Sequence, residues 1–336
     1  MTRAVRNRVL PKESTTKPLI INGDMAIAQR ATSATTVGNG NSGYNTCDRW
    51  RFSELGSPSG EFTISQDTSV PTGYGFKSSL KFDVTTADSG MASGDLFRLE
   101  HRTEAQDCRP LNYGTSLAEA TTLAFWVKSN KTGTYSFHIR QNDDQRGLTK
   151  SYTISSADTW EKKIINIPAD TTGVIENDTG IGLMLYWNLA TGTDFTGTTQ
   201  ETYAANADGF VAQGQAINLL DSTDNEWFIT GVQLEIGDFN ADTMPPFQFE
   251  DVGTNLARCQ RYFTKTLGAY ESSTGGSGSK RVHWQFKQTM RATPTIVEAG
   301  TTKSGVQLLN ADTYGINRSG DNAATLGSGT TAEAEL

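Results

Sequence analysis

Residues 226–237, EWFITGVQLEIG, and residues 19–25, LIINGDM, are apolar segments that stand about two hundred residues apart in the chain. Each segment predicts a β-strand, and the block between them holds many short apolar runs separated by Thr, Ser, Gly and Asn. Short runs at such spacing are typical of an antiparallel sandwich. A first and a last strand that bracket the block predict a sandwich closed by its own two ends.

Composition agrees with an all-β fold. The chain has 336 residues, enough for two domains of ~150 residues each. Only 20% of the residues are charged, below the roughly 25% of typical soluble domains. The polar part is instead rich in Thr, which fits a pleated sheet, and in Gly and Asn, which accept the positive φ of tight turns.

The net charge of −8 excludes some classes of partner. An acidic surface repels the phosphates of nucleic acid, and the sequence has no basic stripe interleaved with aromatic residues. No stretch approaches the ~20 apolar residues of a membrane span. We therefore expect neither a nucleic-acid partner nor membrane insertion.

Basic residues concentrate at the N-terminus, where residues 1–18 are interpreted as a tail. A basic segment of this kind can be a nucleic-acid arm, but we favour a disordered tail or a docking peptide for an acidic partner. The tail has no apolar region typical of a signal peptide. Its basic residues are Arg3, Arg6, Arg8, Lys12 and Lys17, with Glu13 as the single acid.

The three cysteines, Cys47, Cys108 and Cys259, are widely scattered. Their odd number and their spacing predict neither a disulfide framework nor a metal site. We expect buried free thiols, which are consistent with assembly in a reducing cytoplasm.

Alternation of apolar and polar residues predicts the strands between the two end segments. Residues 31–48 are interpreted as a surface loop, and residues 253–262 as a short helix capped by Thr254 or Asn255. The predicted strands are residues 48–52, 61–67, 79–84, 97–102, 122–129, 133–141, 148–154, 161–167, 182–188 and 227–237.

Pro245 and Pro246 mark a boundary near residue 250. We predict three parts: the tail (1–18), a large sandwich (19–250) and a second, smaller C-terminal β domain (251–336). The C-terminal part has a predicted strand at 280–287, a flexible tip at 272–279 and a polar end at 319–336 that we expect to be mobile. It holds few large apolar residues for its length, which favours oligomerisation.

Motifs for catalysis are weak. His101, His138 and His283 lie on separate predicted strands without metal-ligand spacing. Neighbouring carboxylates can act as glycosidase acid/base pairs or bind calcium, but Asp is also the typical residue of tight turns. We therefore predict that the protein is not an enzyme. The carboxylate pairs are Asp143 with Asp144, Asp221 with Asp224, and Glu235 with Asp238.

Four tyrosines, Tyr44, Tyr74, Tyr113 and Tyr203, fall in predicted loops beside Asn, Gln and Asp. Loop aromatics with polar neighbours are suited to stack on a sugar ring while amides and carboxylates bind its hydroxyls. The alternative is that these rings pin the loops to the sandwich or lie in a subunit interface. We take the four tyrosines as candidate ligand-binding residues.

Several segments resemble tail-fibre and other structural proteins of bacteriophages, many of them marine. The resemblance covers most of residues 19–263. It lies in residues 19–30 (LIINGDMAIAQR) and 44–50 (YNTCDRW), 123–134 (LAFWVKSNKTGT) and 157–163 (ADTWEKK), 226–237 and 256–263 (LARCQRYF), and, in the C-terminal part, 288–295 (QTMRATPT).

The end segments also resemble those of carbohydrate-binding-module jelly rolls. In such modules the paired ends often hold a structural calcium, and Asp24 and Glu235 are the candidate ligands here. Thr230 and Gly231 stand where those modules carry an Asp in the last strand. No other cofactor is expected.

The resemblance implies a virion component on a jelly roll, commonly trimeric, that is made in the host cytoplasm and attaches to the host surface. Arg3, Arg6, Arg8 and Lys12 would dock the tail to other virion proteins, and a host-surface glycan is the expected ligand. The first alternative is a capsid or tail decoration protein without a ligand. The second is a polysaccharide depolymerase.

Overall fold

The computed structural model describes residues 17–197, 199–266, 269–271, 280–299, 307–318, 324–326 and 328–336. Two antiparallel sheets face each other, which confirms the predicted all-β sandwich. Their strands are β1 (Ser33–Gly38), β2 (Gly43–Tyr44), β3 (Trp50–Leu55), β4 (Glu61–Asp67), β5 (Ser79–Thr86), β6 (Leu96–Glu104), β7 (Thr121–Ser129), β8 (Gly133–Gln141), β9 (Arg146–Ile154), β10 (Glu161–Ile167), β11 (Ile181–Thr191), β12 (Ala204–Ala205) and β13 (Glu226–Ile236).

Strands cross repeatedly between the two sheets, as in a jelly roll. The six-stranded sheet has the order β1-β4-β5-β13-β7-β10, and the seven-stranded sheet has the order β12-β9-β8-β11-β6-β3-β2. The last strand, β13, lies between β5 and β7, so the end of the sandwich is in the middle of its sheet.

The core between the sheets is aromatic. Trp187 and Trp227 are fully buried, and Phe62 packs edge to face on Phe82 with ring centroids 5.4 Å apart. The three cysteines are buried and free, as the sequence predicts. Among the described residues, no helix is long and apolar enough to cross a membrane.

The prediction of a strand at residues 19–25 is wrong, although the segment does close the sandwich. Asn22 and Met25 have φ of 58°, and the Met25 amide donates to the Asn22 carbonyl at 3.1 Å, so the chain turns here. The Asn22 side chain fixes this turn by bonding both the amide and the carbonyl of Ile27 at 2.9 Å. Asn and Gly accept such turns at low cost, which outweighs the strand preference of the preceding isoleucines.

The two ends meet at a bulge in β13. Gly231 has φ of +62°, and its pairing register with β7 shifts between Thr230 and Gln233. A glycine fits this position because a Cβ would lie 2.5 Å from the Phe76 ring. Because of the bulge, the Val232 amide does not pair with β7. This amide donates instead to the Gly23 carbonyl at 2.9 Å.

We expect Gly23→Ala to lower the free energy of unfolding by about 1–3 kcal/mol, because overpacking forces the backbone apart. A Cβ at residue 23 would stand 2.1 Å from the Val232 carbonyl oxygen, which belongs to the backbone. Thermal unfolding measures the loss. Gly90→Ala is the matched control, since a Cβ there has no atom within 4 Å. Equal stability of the two variants would contradict the proposed close contact.

The interpretation of residues 31–48 as a loop is also wrong, because β1 and β2 lie within it. Thr and Ser suit an edge strand with one solvated side, and in β1 only Val37 and Gly38 are buried. Other predicted strands agree closely with the structure: β4, β8 and β10 have the predicted bounds.

The C-terminal part begins with helix α1 (Val252–Gln260), which confirms the predicted helix. Its cap is Asp251, whose side chain accepts from the Thr254 amide at 3.0 Å, rather than Thr254 or Asn255. Three small sheets follow, formed by β14 (Phe263–Lys265), β15 (Ala269–Glu271), β16 (Lys280–Gln285), β17 (Thr295–Val297), β18 (Gln307–Leu309), β19 (Thr313–Arg318), β20 (Ala324–Leu326) and β21 (Thr331–Glu333).

The expectation of a mobile end at 319–336 is wrong for its last residues. β21 lies between β14 and β17, and the Glu335 side chain is 5% exposed. The carboxylate of Glu335 pairs with Arg49 and Arg30 of the sandwich. The division into an independent sandwich and C-terminal domain at residue 250 stays a prediction.

Candidate functional site

Two of the four candidate tyrosines are not on a surface. Tyr113 and Tyr203 are 6% and 8% exposed and pack edge to face with ring centroids 5.6 Å apart. The expectation that they offer rings to a ligand is wrong, because each ring fills space in the core under its loop.

Tyr44 lies in β2 rather than in a loop, and it is half-buried. Its hydroxyl donates to the Leu336 carbonyl at 3.3 Å, and the Arg30 guanidinium lies 5.3 Å from its ring. Burial raises the pKa of this phenol above its usual range. Tyr44 therefore contacts the end of the chain, which corrects its placement on an open ligand surface.

Tyr74 remains exposed, at 56%. Its ring lies 4.4 Å from the Trp126 ring at an angle of 50°, on the outer face of the six-stranded sheet. Nearby Phe249 is 49% exposed. Tyr74 and Trp126 form a small aromatic platform, the one surface in the described part of the chain where a predicted tyrosine still offers its ring.

Asp24 and Glu235, the candidate calcium ligands, line one small pocket of about 20 Å³. Burial raises the pKa of both carboxyls, and the Asn255 amide donates to Asp24 Oδ1 at 3.3 Å. Calcium takes roughly six to eight oxygen ligands. Within the described ranges, no group of three or more His, Cys, Asp or Glu is placed to hold a metal ion. A structural calcium stays a prediction.

The candidate docking residues of the tail, Arg3, Arg6, Arg8 and Lys12, lie outside the described residues. Asp143 and Asp144 accept hydrogen bonds from the backbone amides of Glu176 and Val174, at 2.9 and 2.7 Å, which fits their interpretation as turn residues.

A cleft that the sequence analysis did not identify lies on the outer face of the seven-stranded sheet, with a volume of about 180 Å³. We call it the arginine cleft. Arg98, Arg140 and Tyr186 reach it from β6, β8 and β11, because alternate residues of a strand point to the same face. Its lining consists of Leu55, Arg98, His138, Arg140, Tyr186, Phe195, Asn206, Asp208 and Val211.

The long connection between β11 and β13 forms one wall of this cleft. Phe195 and Val211 anchor it in a small buried cluster with Leu96, and the Ala212 amide donates to the Phe195 carbonyl at 2.9 Å. This anchoring, together with the pairing of β12 with β9 just before it, holds residues 206–211 over the sheet.

Three arginines on the face beside the cleft share one carboxylate. Arg51, Arg98 and Arg102 lie 3.3, 3.3 and 2.8 Å from the oxygens of Glu100. Burial opposes the ionisation of Glu100, but the three guanidinium groups outweigh it and lower its pKa. Arg98 also lies 4.0 Å above the Tyr186 ring, so its position is fixed from two sides.

His138 forms part of the cleft floor and is uncharged. Burial lowers its pKa to about 3, with Arg98 adding to the shift. Its Nδ1 lies 2.9 Å from Thr149 Oγ1, and its Nε2 lies 3.1 Å from Asn206 Oδ1. Because both ring nitrogens are occupied, His138 fixes the Asn206 amide and leaves no ring nitrogen for a ligand.

Arg140 differs from the other arginines of this face. Its side chain is half-buried, and its Nε is buried without a hydrogen-bond partner among the described residues. The Arg140 guanidinium forms no ion pair with a described residue, whereas Arg51, Arg98, Arg102 and Arg146 each pair with a carboxylate. Arg140 therefore lines the cleft without an acidic partner from the part of the chain that the structure describes.

No protein-family model and no curated protein matches the chain. Similar solved structures include the enzymatically active domain of bacteriophage CBA120 tailspike protein 4, with 14% identity over 56% of this chain and a TM-score of 0.31. This chain spans about a fifth of that tailspike's length, since the match covers 19% of it.

Two carbohydrate-binding modules are similar to a comparable degree. A family 11 module of cellulase Lic26A-Cel5E from Clostridium thermocellum has 9% identity, covers 62% of this chain and 96% of its own, and gives a TM-score of 0.30. TmCBM61 in complex with β-1,4-galactotriose has 10% identity and a TM-score of 0.30, and the match covers 66% of this chain and 99% of the module. Likenesses at this level do not establish a function for this chain.

Proposed function

We propose that this chain is a glycan-binding protein and that the arginine cleft holds the glycan. The convergence of Arg140, Asn206 and Asp208 on one cleft with an apolar wall carries the proposal. Sites for small polar molecules are concave, and they combine an apolar lining with a few placed polar groups.

The groups that line the cleft are suited to a sugar ring. A sugar ring carries hydroxyls on its edge and C–H groups on its faces. The Asn206 amide, held by His138, and the Asp208 carboxylate can bind hydroxyls. Leu55, which is 42% exposed, offers apolar contact to a ring face.

The biological setting in this proposal is attachment of a bacteriophage to its host, with the chain as a tail-fibre or receptor-binding component of the virion. The resemblance of residues 19–263 to phage structural proteins supports this setting. Residues 1–18 would dock to other virion proteins, and a homotrimer would combine several weak glycan contacts into a useful avidity.

Asn206→Ala is expected to weaken glycan binding about 10-fold, because it removes an amide that is worth about 1–1.5 kcal/mol as a hydrogen-bonding group. Binding of the purified chain to an array of neutral and acidic glycans, followed by titration of the strongest one, measures this. Tyr74→Ala is the control on the opposite sheet and should leave affinity unchanged.

Each outcome of that comparison is decisive. Loss of binding in Tyr74→Ala with normal binding in Asn206→Ala would move the glycan to the aromatic platform. Absence of binding to any glycan on the array would refute a glycan-binding function and favour a structural role without a ligand. The attachment role is tested separately: the labelled chain should bind host cells saturably and block phage adsorption, and antibody against it should label intact virions.

A further inference from the structure

We infer that the arginine cleft selects glycans with an acidic sugar unit, and that Arg140 binds the anionic group of that unit. This inference rests on the proposed function, because it names the ligand class of the same cleft. It concerns an oxyanion carried by a sugar, which is a carboxylate, a sulfate or a phosphate.

Arg140 has no acidic partner among the described residues. A guanidinium without a carboxylate partner keeps its donors available to an incoming anion. The chain has 37 acidic residues against 29 basic ones, so carboxylates are abundant. Nevertheless, no described carboxylate forms an ion pair with Arg140, although Asp208 lines the same cleft, whereas Glu100 pairs with Arg51, Arg98 and Arg102.

The electrostatic environment of the cleft also favours an anion. Arg98 adds a second fixed positive charge, and it is held in place by Tyr186 and Glu100. His138 contributes no charge. Asp208, the acidic residue of the lining, is exposed, so solvent and salt screen its repulsion of an anion.

The geometry of the guanidinium group suits an oxyanion. A guanidinium presents its donors in a planar fork that matches carboxylate and phosphate oxygens. Arg140 lies in register with Met184, beside the His138–Tyr186 pair, at the centre of the seven-stranded sheet. Asn206, held by His138, lines the same cleft as Arg140, so the cleft offers a sugar hydroxyl an amide as well as offering its anion a guanidinium.

The test is an array with four arms: glycans that carry carboxylates, sulfates or phosphates, and neutral glycans of matched length. We expect the chain to bind one or more of the three acidic arms at least about 10-fold more tightly than the neutral arm, and to lose affinity as salt rises. The three acidic arms identify which oxyanion is bound.

Arg140→Gln should weaken binding of the acidic glycan about 10- to 100-fold while leaving the thermal unfolding midpoint unchanged. Arg140→Lys should retain part of the affinity, because it keeps the charge and loses the fork. Lys77→Gln is the matched control: Lys77 is exposed in the loop that carries Tyr74, and its loss changes the net charge equally.

The outcomes separate the two proposals. Tight binding of neutral glycans only, or equal effects of Arg140→Gln and Lys77→Gln, would overturn the inference and leave the glycan-binding function in place. Binding to none of the four arms would remove the proposed function itself. Acidic selectivity that depends on Arg140 would support both.

Discussion

Glu335→Gln is expected to lower the free energy of unfolding by about 3–5 kcal/mol, because it leaves a buried guanidinium without its carboxylate. Arg49 is fully buried. Its Nη1 pairs with Glu335, its Nη2 donates to the Arg102 carbonyl at 2.7 Å, and its guanidinium lies 3.5 Å above the Tyr262 ring. The substitution keeps the shape of the side chain, but it removes the charge and replaces one acceptor oxygen by an amide nitrogen that cannot accept from a guanidinium.

The structure offers a matched control two residues earlier. Glu333 pairs with Arg30 at 3.3 Å, but its side chain is 42% exposed, so Glu333→Gln should cost less than about 1 kcal/mol. Denaturant titration followed by circular dichroism measures both variants. The double variant Arg49→Met with Glu335→Leu should recover much of the loss, since an apolar pair of similar volume can replace a buried ion pair. Equal small effects of the two single variants would show that the pair does not stabilise the fold.

Glu335 also illustrates a limit of sequence reasoning. Residues 319–336 are polar and rich in Gly, which is a pattern typical of a mobile end. The pattern describes the local preference of the segment, whereas Glu335 is ordered by Arg30 and Arg49, about three hundred residues earlier. Nothing in the local sequence indicates that partnership.

Strand prediction succeeded where one side of a strand is buried and the other is solvated. β8 (Gly133–Gln141) and β10 (Glu161–Ile167) have the predicted bounds, because their alternation directly reflects this burial. It failed at residues 19–25, where Asn22 and Gly23 make a turn inside an apolar run. Turn chemistry at two residues outweighed the preference of their neighbours.

The candidate site was less predictable than the fold. Arg98, Arg140 and Tyr186 stand at outward positions of predicted strands, where a single arginine or tyrosine is expected on any solvated face. What makes them a cleft is their register, with Tyr186 between His138 and Glu100, and the wall formed by the β11–β13 connection. The sequence does contain one signal for the cleft, which is that basic and aromatic residues occupy outward positions on three predicted strands. The order of the strands in the sheet is not known from the sequence, and without it these residues cannot be placed side by side.

The correction of Tyr113 and Tyr203 follows the same principle. Both lie in irregular segments, which run over the surface as a rule. Their rings nevertheless turn inward, where they pack on each other and join the hydrophobic core. Loop location predicts the position of the backbone, and it does not predict the direction of a large side chain.

Trp187→Ala is expected to destabilise the protein by about 3–5 kcal/mol, through the loss of buried area and the cavity that remains. Trp187 is fully buried in β11, and its ring centroid lies 5.5, 5.8 and 5.1 Å from those of Trp50, Phe125 and Phe137. Because the Trp187 ring contacts residues of both sheets, the cavity left by alanine cannot be filled by the movement of a single neighbouring side chain.

Trp187→Phe separates the packing contribution from the polar one. The Trp187 Nε1 is buried without a hydrogen-bond partner among the described residues, so phenylalanine removes an unsatisfied donor along with part of the ring. We therefore expect Trp187→Phe to cost clearly less than Trp187→Ala in denaturant titration. Tyr74→Ala, on an exposed ring, should cost about 1 kcal/mol or less. If Trp187→Ala were no more costly than Tyr74→Ala, the centre of the sandwich would not lie at Trp187, and the packing of the two sheets described above would be wrong.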